Sequence, residues 1–449
     1  MSGTALSTDL YELTMIAGYH AANHMPRATF ELYARELPPN RPFLVAAGLA
    51  QALEYLEGLR FGREDIEYLR SLPSLQGVRR EFFDTYLPSV RFTGEVWAVE
   101  EGTPIFPPEP LLRVTAPLPE AQLVETALLA QITFQTSVAS RAARVVEAAA
   151  GRPVVEFGAR RAHGLEAGRY AARAAFLAGC ESTSNVDAGR RFGIPLSGTM
   201  AHSWVMAFPD EETAFRRYTD VFGQNTVLLL DTYDTLAAAR RIVASGFQPR
   251  AVRLDSGDIV ALSKSVRAIL DEAGLRETKI FVSGDLDEWR IAEMLATGAP
   301  VDGFGVGAAL STSSDAPSLS GVYKLVEIER AGAPVAMMKL SPGKQTSPGR
   351  KQIWRLFDEG TAIEDVIGLA DEPGIAGGRQ LLERVMIDGR REVHRPPIHE
   401  LRARCRAAVA ELPAPVRRLH DPARYPVRFS DAVQSAIDRL SRPEVSWGR

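Results

Sequence analysis

From Arg152 onward the chain alternates short apolar runs with helix-forming stretches, and this alternation restricts the fold more than any other feature. The runs are PVVEFG, GIPLSG, TVLLLDTYD, AVRLDSGD, KIFVSGD and VDGFGVG. Between them lie helical patterns over Gly164–Ala178, Glu211–Val221, Thr235–Ser245, Ile259–Ala273 and Asp287–Ala296. Several runs are continuous Val, Ile and Leu, as expected of strands covered on both faces. One strand and one helix occupy roughly 20–30 residues, the size of a βαβ crossover. A parallel α/β sheet or barrel is the expected fold.

The flanking regions read differently. STDLYELTMIAGY predicts a helix capped by Ser7 or Thr8, followed by a strand over Ala28–Glu36 and a helix over Leu44–Leu59. Short strands are expected at Val90–Glu100 and Pro110–Ala116, then one long helix from Pro119 to about Ala150 that marks a domain junction. After Gly321 the sequence returns to strands, GVYKLVEIER, PVAMMKL and KQIWRLF, and closes with helices at Ile398–Glu411 and Ser430–Leu440. A chain of 449 residues, 45% hydrophobic and 24% charged, can bury a large core in two or three domains. Its formal net charge of −4 offers no footprint for nucleic acid or anionic membranes. The two cysteines, Cys180 and Cys405, read as reduced thiols. No apolar run is long enough to span a bilayer, and MSGTALSTDLYELTM lacks a basic region followed by an apolar core. A cytoplasmic location is expected.

The polar residues of the alternating region gather at the ends of its runs. Arg160 and Arg161 follow the first, His202 the second, Asp231 and Asp234 the third. Asp255 and Asp258, then Asp285 and Asp287, then Gly305 and Gly307 follow the remaining three. Ligands of α/β sheets and barrels bind at that edge. Taken singly, Asp234, Asp258 and Asp287 read as helix caps and His202 as a packed or surface histidine. Together these residues form an inventory for a phosphorylated sugar: glycine turns present backbone N–H groups to phosphate, arginine forks grip it, and carboxylates hold Mg²⁺ or ribose hydroxyls. Phe157 and Tyr11 could sandwich a flat ring. A barrel lyase acting on a sugar phosphate and a phosphometabolite-binding protein without activity fit the same inventory.

Seven motifs narrow the choice. STDLYELTM, VEFGARRAHG, CESTSNVDAGRRFGIPLSGTMAHS, LLLDTYDT, VRLDSGD, FVSGDLDE and GFGVGAAL resemble, in order and spacing, those of the nicotinate phosphoribosyltransferases. The resemblance implies an irregular, quinolinate-phosphoribosyltransferase-like α/β barrel at residues 119–330. It also implies an α+β domain from residues 1–118, with residues 331–449 packing back on it. The implied reaction joins nicotinate to phosphoribosyl pyrophosphate, with Mg²⁺ and with ATP as co-substrate, in a homodimer with shared sites.

Carried over by motif, His202 resembles the family's phosphorylated histidine and Asp231 the residue that orients its ring. Thr199 and Arg253 match nicotinate-site residues, with Arg253 opposing the carboxylate. Phe157 would stack with Tyr11 of the neighbouring subunit. Arg160, Asp255, Ser256, Gly284, Asp285, Gly305 and Gly307 would bind the phosphoribosyl and pyrophosphate groups, and Asp231 and Asp255 the Mg²⁺. Two positions stand out. The family usually has GVGT where this chain has GVGA, so Ala308 lacks a hydroxyl that Ser311 or Thr312 would have to supply. Relatives that use nicotinamide carry Asp where this chain has Ser184, so Ser184 favours the acid over the amide, and nicotinamide- or quinolinate-using phosphoribosyltransferases are the rivals within the fold.

Overall fold

A computed structural model describes residues 5–341, 345–392 and 395–442, so the first four residues of the opening segment lie outside the described residues. The chain forms two compact units. One comprises the chain up to Ser137, Ser318–Pro397 and the chain from Arg404 on; the other comprises Val138–Pro317 with Ile398–Ala403.

The first unit is built on a seven-stranded sheet with Arg27–Ala34 near its middle. That strand pairs antiparallel with Pro110–Pro117 on one side and Gly321–Arg330 on the other, so segments from both ends of the chain share one sheet. Glu31 lies on the buried strand and is neutralised by Lys351, whose Nζ is 2.9 Å from its carboxylate. The expected helix over Leu44–Leu59 is instead a two-residue strand, Leu44–Val45, and a helix, Leu49–Glu57. Gly48 forces the break: its φ is +96°, and a Cβ there would fall 2.4 Å from the Gln131 carbonyl oxygen. The expected long helix is two, Leu118–Leu123 and Glu125–Ala148, and the units divide within the second. The expected boundaries at 118/119 and 330/331 therefore differ from the observed ones. A helix that continues through a junction hides it from the sequence, and the strand ending at Arg330 belongs to the first unit because it pairs with Arg27–Ala34.

The second unit holds six parallel strands: β1 (Val154–Glu156), β2 (Ser182–Thr183), β3 (Val227–Leu229), β4 (Ala251–Leu254), β5 (Lys279–Val282) and β6 (Gly303–Val306). Their order is β2-β1-β6-β5-β4-β3. Among the described residues no ladder joins β2 to β3, so the barrel is irregular. The GIPLSG run, expected as a strand, contributes only a bridge between Leu196 and Thr183. It cannot extend further, because Gly193 at φ +72° ends the helix Val186–Phe192 and Pro195 has no N–H to donate. The second strand is the polar pair Ser182–Thr183 instead.

Strand alternation divides the residues by face. Leu228, Val252, Leu254, Ile280, Val282 and Phe304 are fully buried on the face covered by helices. The other face carries Phe157, Asp231, Arg253, Asp255, Ser283 and the glycines of β6, which brings the strand-end residues to one rim.

Candidate active site

Arg253 is the hub of that rim. Its guanidinium donates to the Ser283 hydroxyl (Nε, 2.9 Å), to the Thr199 hydroxyl (Nη1, 3.0 Å), to the Met200 carbonyl (3.2 Å) and to the Asp255 carboxylate (Nη2, 2.8 Å). The same group stands 5.8 Å from the centre of the Phe157 ring. Phe157 can occupy this place because Gly305 has no side chain: a Cβ there would lie 2.5 Å from the ring. A fixed cation beside a half-buried aromatic ring suits a flat anion.

His202 opens the short helix His202–Met206. Its Nδ1 lies 3.1 Å from the Thr232 hydroxyl and its Nε2 is 3.9 Å from Asp255 Oδ2. The expected bond from Asp231 to the ring is absent. Asp231 Oδ2 instead accepts from the Asp255 N–H and the Ser256 hydroxyl, while Asp231 Oδ1 is buried without a partner. Asp231 and Thr232 are consecutive at the end of β3, and the turn presents the second to the imidazole. Burial pushes the Asp255 carboxyl upward, but bonds from Arg253 and Ser283, with the Arg253 charge and the nearby His202, outweigh it and hold the group below the usual carboxylate range.

Among the described residues no three His, Cys, Asp or Glu side chains form a metal cage. Asp231 and Asp255 nevertheless fit a hard cation that keeps waters and phosphate oxygens as its other ligands. The orphaned Asp231 Oδ1 is a buried oxygen that needs a partner, and Asp255 Oδ2 is not engaged by Arg253.

The remaining expected residues fall into place unevenly. Gly284, at φ +99°, lies against the backbone of Asp255, where a Cβ would be 2.0 Å from the carbonyl oxygen, and Asp285 follows at φ +47°. Arg160 sits on the exposed turn Ala159–Arg161, and Ser184 is exposed just after β2, its N–H donating to the Glu156 carbonyl. Gly307 precedes Ala308–Ser311. Of the two hydroxyls expected to replace that missing at Ala308, Thr312 donates to the Ala308 carbonyl at 2.8 Å, and that of Ser311 is buried beside Gly158 without a partner. Asp234, Asp258 and Asp287 are helix caps, accepting from the N–H groups of Ala237, Ala261 and Arg290 at 2.8, 3.0 and 2.9 Å. Tyr11 belongs to the other unit, on the helix Leu10–Ala21, half exposed and donating to Glu12 at 3.3 Å.

Three residues of the site were not expected from sequence: Thr232, Ser283 and Glu156. Glu156 is a buried carboxylate on the helix-covered face, where it accepts from the Gly158 N–H and, at 2.6 Å, from the Thr183 hydroxyl. Burial raises its carboxyl, against those two bonds. It ties the Phe157–Arg160 turn to the end of β2. An acid within the apolar run PVVEFG was the available signal.

A parallel barrel with an arginine hub, a histidine, two carboxylates and glycine turns at one rim defines an α/β-barrel enzyme. Three profiles cover most of the chain: the nicotinate phosphoribosyltransferase N-terminal domain at residues 6–133, the nicotinate phosphoribosyltransferase family at residues 153–352 and the C-terminal domain at residues 377–436. Nicotinate phosphoribosyltransferase pncB2 of Mycobacterium tuberculosis is 46% identical over 450 residues, covering 98% of this chain and 95% of that protein. Nicotinate phosphoribosyltransferase of Bacillus subtilis is 44% identical over 82% of this chain and 76% of its own length. The crystal structure of human nicotinic acid phosphoribosyltransferase matches with a TM-score of 0.83 at 30% identity, over 97% of this chain and all of that one. The chain belongs to the nicotinate phosphoribosyltransferase family.

Proposed function

We propose that this protein joins nicotinate to phosphoribosyl pyrophosphate, forming nicotinate mononucleotide and pyrophosphate in NAD biosynthesis, and that it couples the reaction to ATP. The observation that carries the reading is the Arg253 hub: one guanidinium contacts Thr199, Ser283 and Asp255 beside the Phe157 face. The pyridine carboxylate would oppose Arg253 and the ring would lie on Phe157. The bond from the sugar C1 to pyrophosphate breaks and a bond from C1 to the pyridine nitrogen forms. That nitrogen already carries a lone pair, so no general base is required. Arg160 and the backbone at Gly284, Asp285, Gly305 and Gly307 would hold the phosphates, and their fixed N–H groups favour the charge that develops on the leaving pyrophosphate. Asp231 and Asp255 would hold Mg²⁺, which when bound supplies charge neutralisation for the phosphates.

For the ATP step, the γ-phosphoryl group passes to His202 with release of ADP, and water later returns the free ring and inorganic phosphate. Nε2 is the nitrogen on offer, since Nδ1 faces Thr232. Ser184, without charge at the end of β2, supports the acid rather than the amide as substrate. A homodimer whose Tyr11 completes the neighbour's site belongs to the same reading, supported by the exposure of Tyr11. Among the described residues no helix is long and apolar enough to cross a membrane, and both cysteines are free and buried, which supports action in the cytoplasm. The test is to measure nicotinate mononucleotide, pyrophosphate and ADP from nicotinate and phosphoribosyl pyrophosphate, with and without ATP. Absence of the nucleotide under both conditions excludes the reading. Nucleotide formation with no ADP excludes only the coupling.

A further inference from the structure

The barrel is hollow below Arg253. Parallel barrels normally fill their interior with layers of side chains. Here the inner positions of β6 are Gly303 and Gly305, covered by the Phe281 and Phe157 rings, and the lowest inner position of β4 is only Ala251. A cavity of about 590 Å³ results. Its lining includes Phe157 and Thr199 beyond the strands' C-terminal ends, and also Arg250, Lys279 and Asp302 at their N-terminal ends. It therefore runs the length of the sheet.

Both ends carry cations and the walls do not. At the upper end Arg253 is bonded to Thr199 and stands over Phe157, two of the lining residues. The apolar part of the walls is Val155, Pro195, Leu196 and Phe281, with Leu196 53% exposed, beside the polar Ser182 and Ser197 and one carboxylate, Glu181. At the lower mouth Lys279 is largely exposed, 3.4 Å from Asp302, and Arg250 is exposed. An adjoining cavity shares Pro153 and Asp302 and adds Arg152, Arg267 and Arg276 to this face, with Arg267 paired to Asp271.

We propose that this bore is a rear entrance for the aromatic acid, a planar ring bearing one carboxylate, which reaches Arg253 from the N-terminal face of the barrel. The inference rests on the transfer reaction proposed above. A sugar carrying phosphate and pyrophosphate, seated on the strand-end glycines, would cover the direct approach from the C-terminal rim. The bore offers the ring apolar walls and leads its carboxylate from the cations of the lower mouth to the Arg253 guanidinium, so the acid binds without waiting for that rim to clear.

Lys279 permits a test on the folded enzyme. It is exposed, whereas Cys180 and Cys405 are buried, with thiols that burial makes reluctant to ionise, so Lys279→Cys supplies a single reactive thiol. A bulky aromatic group is attached there through a reducible disulfide. The expected result is a rise of about tenfold or more in KM for nicotinate, with KM for phosphoribosyl pyrophosphate and kcat at saturation unchanged, fully reversed by reduction. Ala251→Leu, which narrows the bore from inside, should raise KM for nicotinate in the same way while its urea midpoint stays near wild type. An unchanged nicotinate KM after complete labelling overturns the rear entrance and leaves the transfer reaction standing. Failure of the unlabelled and wild-type enzymes to make nicotinate mononucleotide overturns both.

Discussion

The imidazole of His202 is held by the Thr232 hydroxyl, 3.1 Å from Nδ1, and not by the neighbouring Asp231. A hydroxyl can accept from Nδ1–H, which leaves the lone pair on Nε2, where a phosphoryl group would bind. Replacing Thr232 by Val should lower nicotinate-stimulated ADP release about tenfold, the value of one lost hydrogen bond, and Thr232→Ser should restore it. His202→Ala should abolish that release and keep slow, ATP-independent nucleotide formation. A His202→Ala enzyme that still hydrolyses ATP in step with product would remove His202 from the coupling.

Arg253→Lys keeps a positive charge but loses the fork that reaches Ser283, Thr199 and Asp255 together. The expected loss is about 10- to 100-fold in kcat/KM for nicotinate, carried mainly by KM. Steady-state kinetics with each substrate varied in turn would show it, and an unchanged nicotinate KM would contradict the role given to the guanidinium.

Two glycine substitutions should separate backbone from ring. Gly284→Ala puts a Cβ 2.0 Å from the Asp255 carbonyl oxygen at φ +99°, so about 1–3 kcal/mol of stability should be lost along with activity. Gly305→Ala meets side chains rather than backbone, the Phe157 ring at 2.5 Å and the Phe281 ring at 3.1 Å, and a ring can shift. Its effect should fall on KM for nicotinate, with a smaller change in the denaturation midpoint.

The Asp255 carboxyl is held below its ordinary value, so its contribution to stability has a defined sign. The folded state favours the ionised form. That contribution is therefore complete above the unfolded value, near 4, and is lost as pH falls through the lower folded value. Asp255→Asn should flatten the decline of the urea midpoint on acidification below about pH 4 relative to wild type. Parallel curves for the two proteins would refute the assignment.

Ser184→Asp places a carboxylate at the end of β2. It should weaken nicotinate use about tenfold or more and improve nicotinamide use, measured by rates with the two pyridines. No change in the ratio would remove Ser184 from substrate choice.

Local signals were the ones legible in sequence. Asp234, Asp258 and Asp287 read as caps because a cap bonds to N–H groups only two or three residues away. Helices such as Ile259–Glu272 were legible through their spacing. GIPLSG was misread because an apolar run between glycines looks like a strand whether or not a neighbour can pair with it. Ser182–Thr183 was missed because two polar residues carry no strand signal. The glycine at 48 that breaks a helical pattern acts through Gln131, 83 positions away, which no local reading reaches.

By itself the sequence determined the class of fold, the family and the residue types collected at the strand ends, because hydrophobic period, capping and motif order are properties of neighbouring residues. Tertiary structure decided which of those residues touch. Arg253 meets Thr199 across 54 positions and Ser283 across 30, and His202 finds Thr232 rather than Asp231. Those contacts depend on which strand lies beside which and on the way each turn leaves its strand. The hollow beneath Arg253 has the same origin: its lining runs from Pro153 to Gly303, residues that only the folded barrel brings around one space.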